Sequence, residues 1–181
     1  MKRSQKLLIL TAFVALTVYI APPVSAQDKA AEQFAKFSEQ STWVLGYFRR
    51  GQITQSPHSE WFTSKYDEYQ LSTEWLNRLL DIPHSGLTIK IVMGTWCPDS
   101  RKQVPAFLRI LDIWNFPGDS VTFIGVDDQK LSPVGGYEEL SIERVPTFIF
   151  YKNNIEAGRI IENPLTSLEQ DMVNILGGKE K

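Results

Sequence analysis

The spacing of apolar positions changes character along this 181-residue chain. Leu7 to Ala21 is an apolar run broken only by Thr11 and Thr17, behind Lys2, Arg3 and Lys6 and ahead of Val24-Ser25-Ala26. A basic start, an apolar middle and a small-residue end form the pattern of a secretory leader, so residues 1–26 are read as a cleaved signal peptide. The run is shorter than the roughly 20 residues a membrane span needs. No cysteine follows it, which argues against a lipid anchor, and no other segment is apolar enough to span.

Beyond the leader the period is helical. Phe34, Phe37, Val44, Tyr47 and Phe48 recur at helical spacing, with Asp28, Glu32 and Lys36 between them. After a break at Gly51-Gln52 and Ser56-Pro57, a second helical stretch carries Trp61, Phe62, Tyr66, Tyr69, Leu71, Trp75, Leu76, Leu79 and Leu80 and ends before Ile82-Pro83. Residues 27–85 are therefore expected to form a helical extension packed on the rest.

From Leu87 the runs shorten. Leu87 to Met93 is β-branched and bounded by Gly86 and Gly94, which predicts a strand. Pro98 to Trp114 predicts a helix with Val104, Phe107, Leu108 and Leu111 on one face, and Val121 to Val126 predicts a second strand. Turn-formers follow at Ser132-Pro133 and Gly135-Gly136. Thr147 to Tyr151 reads as a third strand, Lys152-Asn153-Asn154 as a turn, and Glu156 to Ile161 as a fourth strand. Thr166 to Glu169 reads as a capping box for a last helix carrying Leu168, Met172, Ile175 and Leu176. The order is β-α-β, with parallel strands and a right-handed crossover, then β-β-α with an antiparallel hairpin. The fold class is α/β, a mixed sheet flanked by helices over residues 86–178, with 179–181 as a tail.

Composition narrows the function. A mature chain of about 155 residues suits one domain with a real core. The formal net charge is −2, and loss of the leader's basic residues makes it more acidic, which argues against a nucleic-acid partner. A single cysteine, Cys97, excludes an internal disulfide, a multi-cysteine zinc site and an internally resolved dithiol cycle. No metal and no cofactor is expected. The thiol is then inert and buried, reactive by itself, or bridged to another chain.

Cys97 stands between the end of a strand and Pro98, and proline favours the first position of a helix. Cys97 is thus expected to be an N-cap, with free N–H groups and the positive end of the helix dipole favouring its thiolate. Ser100 is expected to donate to the sulfur. Arg101 adds positive charge one turn on, and Asp99 opposes it. The two histidines, His58 and His84, are read as surface or capping residues, and Asp127-Asp128 as a solvated strand end rather than a metal site. Trp43, Trp61 and Trp75 are read as core or sheet-covering residues, and Tyr66, Tyr69 and Tyr137 as candidates to line a groove.

Over about residues 86–178 the sequence resembles thioredoxin-like proteins. Trp96-Cys97-Pro98-Asp99-Ser100 stands where thioredoxins carry W-C-G-P-C, Pro105 matches their helix proline, and Val145-Pro146-Thr147 matches their cis-proline sequence. The resemblance implies a thioredoxin fold, a catalytic pair Cys97 and Ser100, and substrate contacts at Trp96, Pro98, Val145 and Pro146. A substrate chain would pair there as an added strand. The chain departs from the family at three places. Ser100 replaces the resolving cysteine, Ile91 the buried aspartate, and Glu162 a groove glycine. Without a second thiol, a mixed disulfide on Cys97 needs an external thiol for release.

The expected function is a monothiol thiol–disulfide oxidoreductase of an exported bacterial branch, working in the periplasm or outside the cell. Its partners would be exported proteins or small thiols and disulfides, plus an external thiol reductant. The alternatives are a non-enzymatic binding or chaperone module, a redox sensor oxidised to sulfenic acid at Cys97, and an arsenate-reductase-like protein. The last shares the string C-x-x-S-R at Cys97 to Arg101.

Overall fold

The computed structural model describes residues 42–177, together with the helical residues Asp28, Lys29, Ala31 and Ala35. The expected leader (1–26), Glu32, Phe34, Lys36, Phe37 and the expected tail (179–181) lie outside the described residues. Among the described residues no helix is long and apolar enough to cross a membrane.

Five strands form one mixed sheet. They are β1 (Gly46–Phe48), β2 (Leu87–Met93), β3 (Val121–Gly125), β4 (Thr147–Lys152) and β5 (Ile155–Ile161), in the order β1-β3-β2-β4-β5. β2 and β3 run parallel; every other neighbouring pair is antiparallel. The helices are α1 (Gly51–Thr54), α2 (Ser59–Glu68), α3 (Thr73–Leu80), α4 (Pro98–Ile113) and α5 (Leu168–Leu176). This is the expected mixed α/β arrangement, with α4 as the β-α-β crossover and β4-β5-α5 as the closing unit. Asn153 and Asn154 take φ of 52° and 65°, the left-handed pair that a two-residue hairpin turn requires.

Strand alternation divides the interior. Leu87, Ile89, Ile91 and Met93 of β2 join the buried residues of all five helices in one core. Val92, one pleat over, belongs to a second, smaller cluster that contains Cys97. Ile91, which stands at the family's aspartate position, is fully buried in the larger core, where Phe107 stacks on Phe148 at 4.2 Å.

Three expectations change here. Val44, Tyr47 and Phe48 are not helical: Gly46–Phe48 is a strand antiparallel to β3, with Phe48 opposite Phe123 and their rings 5.2 Å apart. Three apolar residues fit either period, and Gly46 at φ 74° breaks a helix. Packing against β3 decides the outcome. Gly125 permits it, because a Cβ there would lie 2.0 Å from the Val44 carbonyl oxygen.

The second helical stretch is split. α2 ends at Glu68, Tyr69 turns extended, and α3 starts after Ser72. The buried carboxylate of Glu169 accepts from the Tyr69 hydroxyl at 2.9 Å and from the Ser72 N–H at 3.0 Å, filling the break. Glu169 is therefore not half of a capping box. The α5 cap lies one residue later, at Ser167, whose Oγ accepts the Gln170 N–H at 3.1 Å.

Candidate active site

β2 ends at Met93, and Gly94-Thr95-Trp96 carries the chain to Cys97, the N-cap of α4. Pro98 is the first helical residue, where its missing N–H costs nothing. The Arg101 N–H closes the first helical turn on the Cys97 carbonyl at 3.0 Å. Only the first-turn N–H groups of Asp99 and Ser100 lack intrahelical acceptors, as at any helix start.

Cys97 is 7% exposed, and its thiol donates to the Val145 carbonyl at 3.3 Å. The next peptide bond, Val145–Pro146, is cis. Tertiary structure thus brings Trp96, Cys97, Pro98, Val145 and Pro146 together from two distant segments. Val92, Ile124, Val126, Val134 and Tyr137 pack around them. Burial, then the charges of Asp127 and Glu138, push the Tyr137 hydroxyl up to about 12. It stays protonated and donates to the Lys130 carbonyl at 2.8 Å, pinning the loop after β3.

Ser100 is fully buried one turn from Cys97. Its Oγ accepts the Gly94 N–H at 3.3 Å, so it braces the loop, and the sulfur's hydrogen bond goes to Val145. Arg101 is turned the same way, with Nε donating to the Thr95 carbonyl, and Asp99 is half-buried beside it. Glu162 sits at φ 61°, a backbone conformation suited to glycine. Its N–H donates to the Pro146 carbonyl at 2.6 Å and its carboxylate pairs with Arg144 at 2.6 Å, placing charge on the rim.

The chain before residue 60 completes the site, and sequence reasoning missed this. Trp96 donates from Nε1 to the Val126 carbonyl at 3.0 Å and lies over Gly94, where a Cβ would come within 2.5 Å of the ring. Trp43 packs against Trp96 with ring centroids 6.1 Å apart. The Val44 N–H donates to Thr95 Oγ1 at 3.2 Å, and the ring of His58 reaches the Thr42 carbonyl at 3.1 Å through Nε2. No local signal marks these residues, because spacing says nothing about pairs this far apart in the chain.

His58 stands at the N-cap position of α2, one of the two expected roles, but it is buried rather than on the surface and its side chain makes no cap bond; His84 is half-buried with its ring edge-on to Trp114 at 4.7 Å. The three tyrosines act as struts, Tyr66 donating to Asp112 at 2.6 Å, Tyr69 to Glu169 and Tyr137 to Lys130, while Tyr69 and Tyr137 also line two separate surface pockets rather than one groove. Asp127 closes its own turn by accepting the Gln129 and Leu131 N–H groups. Among the described residues no group of three or more His, Cys, Asp or Glu could hold a metal ion.

Burial pushes the His58 imidazole below its ordinary range; the Thr42 carbonyl opposes this and nearby Arg101 adds to it. The fold therefore holds His58 neutral, with the proton on Nε2, because a carbonyl only accepts. The unfolded chain takes up a proton near pH 6.5, so stability is full above that pH and falls as pH drops toward the lower folded value. The urea midpoint of the native chain is expected to fall from pH 7.5 to pH 5.5 by more than that of His58→Gln. Equal falls would refute this.

No family model matches the chain. It is 30% identical over 84 residues to a thioredoxin H-type of Oryza sativa subsp. indica, a match covering 46% of this chain and 64% of the relative. It is 32% identical over 68 residues to a thioredoxin of Malassezia sympodialis, covering 38% and 61%. The matches thus span less than two thirds of either relative's length. A protein of unknown function from Pseudomonas aeruginosa shares the fold at a TM-score of 0.53 and 12% identity, over 72% of this chain and 90% of that one. The sheet topology and the likeness to two thioredoxins together support a thioredoxin-like relationship for this chain.

Proposed function

We propose that the chain is a monothiol thiol–disulfide exchange protein of the cell envelope. One observation carries this reading: a lone thiol at the N-cap of α4, held on the carbonyl of Val145, with Ser100 in place of a second thiol. The likeness to thioredoxins supports the reaction class, and the leader-like residues 1–26 support export.

In the proposed cycle Cys97 first loses its proton to solvent. The Val145 carbonyl holds the thiol but cannot take the proton. The thiolate attacks one sulfur of a substrate disulfide. A bond forms between Sγ and that sulfur, the substrate's S–S bond breaks, and the second sulfur leaves as a thiolate. An external thiolate then attacks the substrate sulfur of the mixed disulfide and frees Cys97. Trp96, Pro98, Val145 and Pro146 are the proposed substrate contacts, and Asp99 and Arg101 the groups that tune the thiolate.

A small disulfide in excess should add one half-molecule to the intact protein, and added thiol should remove it, both read by mass spectrometry. No adduct on the folded protein overturns the proposal. Ser100→Cys places a thiol one helical turn away, within disulfide reach. The adduct is then expected to disappear in favour of a protein two hydrogens lighter, whereas a persistent adduct would mean position 100 does not face the sulfur. Burial of the thiol favours a second reading, a binding module without exchange, which would capture a partner equally well as Cys97→Ser.

A further inference from the structure

We infer that His58 is a positioning residue for the thiol site, acting through Trp43. The inference rests on Cys97 being the reacting thiol. Trp43 is the outer neighbour of Trp96, the ring beside Cys97. Its own indole N–H is buried with no hydrogen-bond partner among the described residues, so no polar contact of its own holds the ring. The residues on either side hold it. The Thr42 carbonyl accepts from buried His58 on one side, and the Val44 N–H donates to Thr95 Oγ1 on the other.

These anchors reach different partners. His58 directly precedes α2, whereas Thr95 is fully buried in the loop that leads to Cys97. Residues 42–44 therefore form a strap that crosses the loop and sets Trp43 against Trp96. The strap has little freedom to settle elsewhere, since the Val44 carbonyl fits against Gly125 with no room for a side chain there. The His58 contact is thus an anchor on the Thr42 side of the Trp43 wall, and the Thr95 contact an anchor on its Val44 side.

The test compares the full chain with His58→Leu, His58→Gln and Thr95→Val. It reads the iodoacetamide labelling rate of Cys97 and the near-ultraviolet circular dichroism of the tryptophan pair, whose share is identified with Trp43→Phe. In His58→Leu the pair signal is expected to collapse to that of Trp43→Phe. Labelling should quicken about fivefold, the equivalent of one net hydrogen bond. Thr95→Val should do the same from the other anchor, which keeps the test open if one variant fails to fold. His58→Gln, whose amide can donate to Thr42, should restore both readings. A lower melting temperature with unchanged signal and labelling would show a merely structural histidine and overturn the inference, as would failure of glutamine to rescue. Labelling needs no disulfide, so a native chain that labels but never forms a mixed disulfide defeats the proposed function separately.

Discussion

Cys97→Ser should stay at its unmodified mass in the presence of a large excess of small disulfide, and turn over none above the uncatalysed background. The change replaces Sγ by Oγ at a buried N-cap. Serine is a favoured N-cap and its hydroxyl can still donate to the Val145 carbonyl, so the fold should survive. The chemistry should not. A serine hydroxyl stays protonated near neutral pH and has no sulfur to exchange, and Ser100, braced on Gly94, cannot substitute. Native circular dichroism with complete loss of adduct is the expected result. An adduct on Cys97→Ser would place the reaction elsewhere and end the proposal.

Glu169→Ala should be the most damaging single change to stability away from the thiol, at about 3 kcal/mol. The carboxylate is fully buried and satisfies two groups, the Tyr69 hydroxyl and the Ser72 N–H. Alanine leaves both half-buried groups without their acceptor. Burial is the largest cause holding the Tyr69 hydroxyl above its ordinary range in the native chain, and it persists without Glu169, so tyrosine cannot ionise to relieve the loss. For a domain of this size the melting temperature should fall by roughly 10 °C. Glu169→Gln keeps a carbonyl acceptor and should lose less. A loss under about 1 kcal/mol for alanine would mean that water enters and satisfies both groups.

The two predictions differ in how far the sequence alone announces them. Cys97 is legible because its placement is local: a strand end, a tryptophan, a cysteine and a proline follow closely in the chain, and the proline sets the helix start. The β-α-β and β-β-α units are legible for the same reason, since alternation within a strand and period within a helix are written in neighbouring residues. Glu169 was misread. A residue two places after the cap matches a capping box shifted by one, and only the approach of α3 shows that its carboxylate serves another helix.

The short N-terminal elements were misread because three residues carry no period. Gly46–Phe48 becomes a strand because β3 offers it an edge and Gly125 makes room. The sequence therefore determined the thiol, its helix and the chain succession of the four strands from Leu87 onward, all products of short-range sterics and hydrogen bonding. Tertiary structure decided what surrounds the thiol: the Val145 carbonyl on the sulfur, and the strap of Thr42 to Val44 held by His58 and Thr95. Those contacts join segments far apart in the chain, and their partners are chosen by packing rather than by spacing.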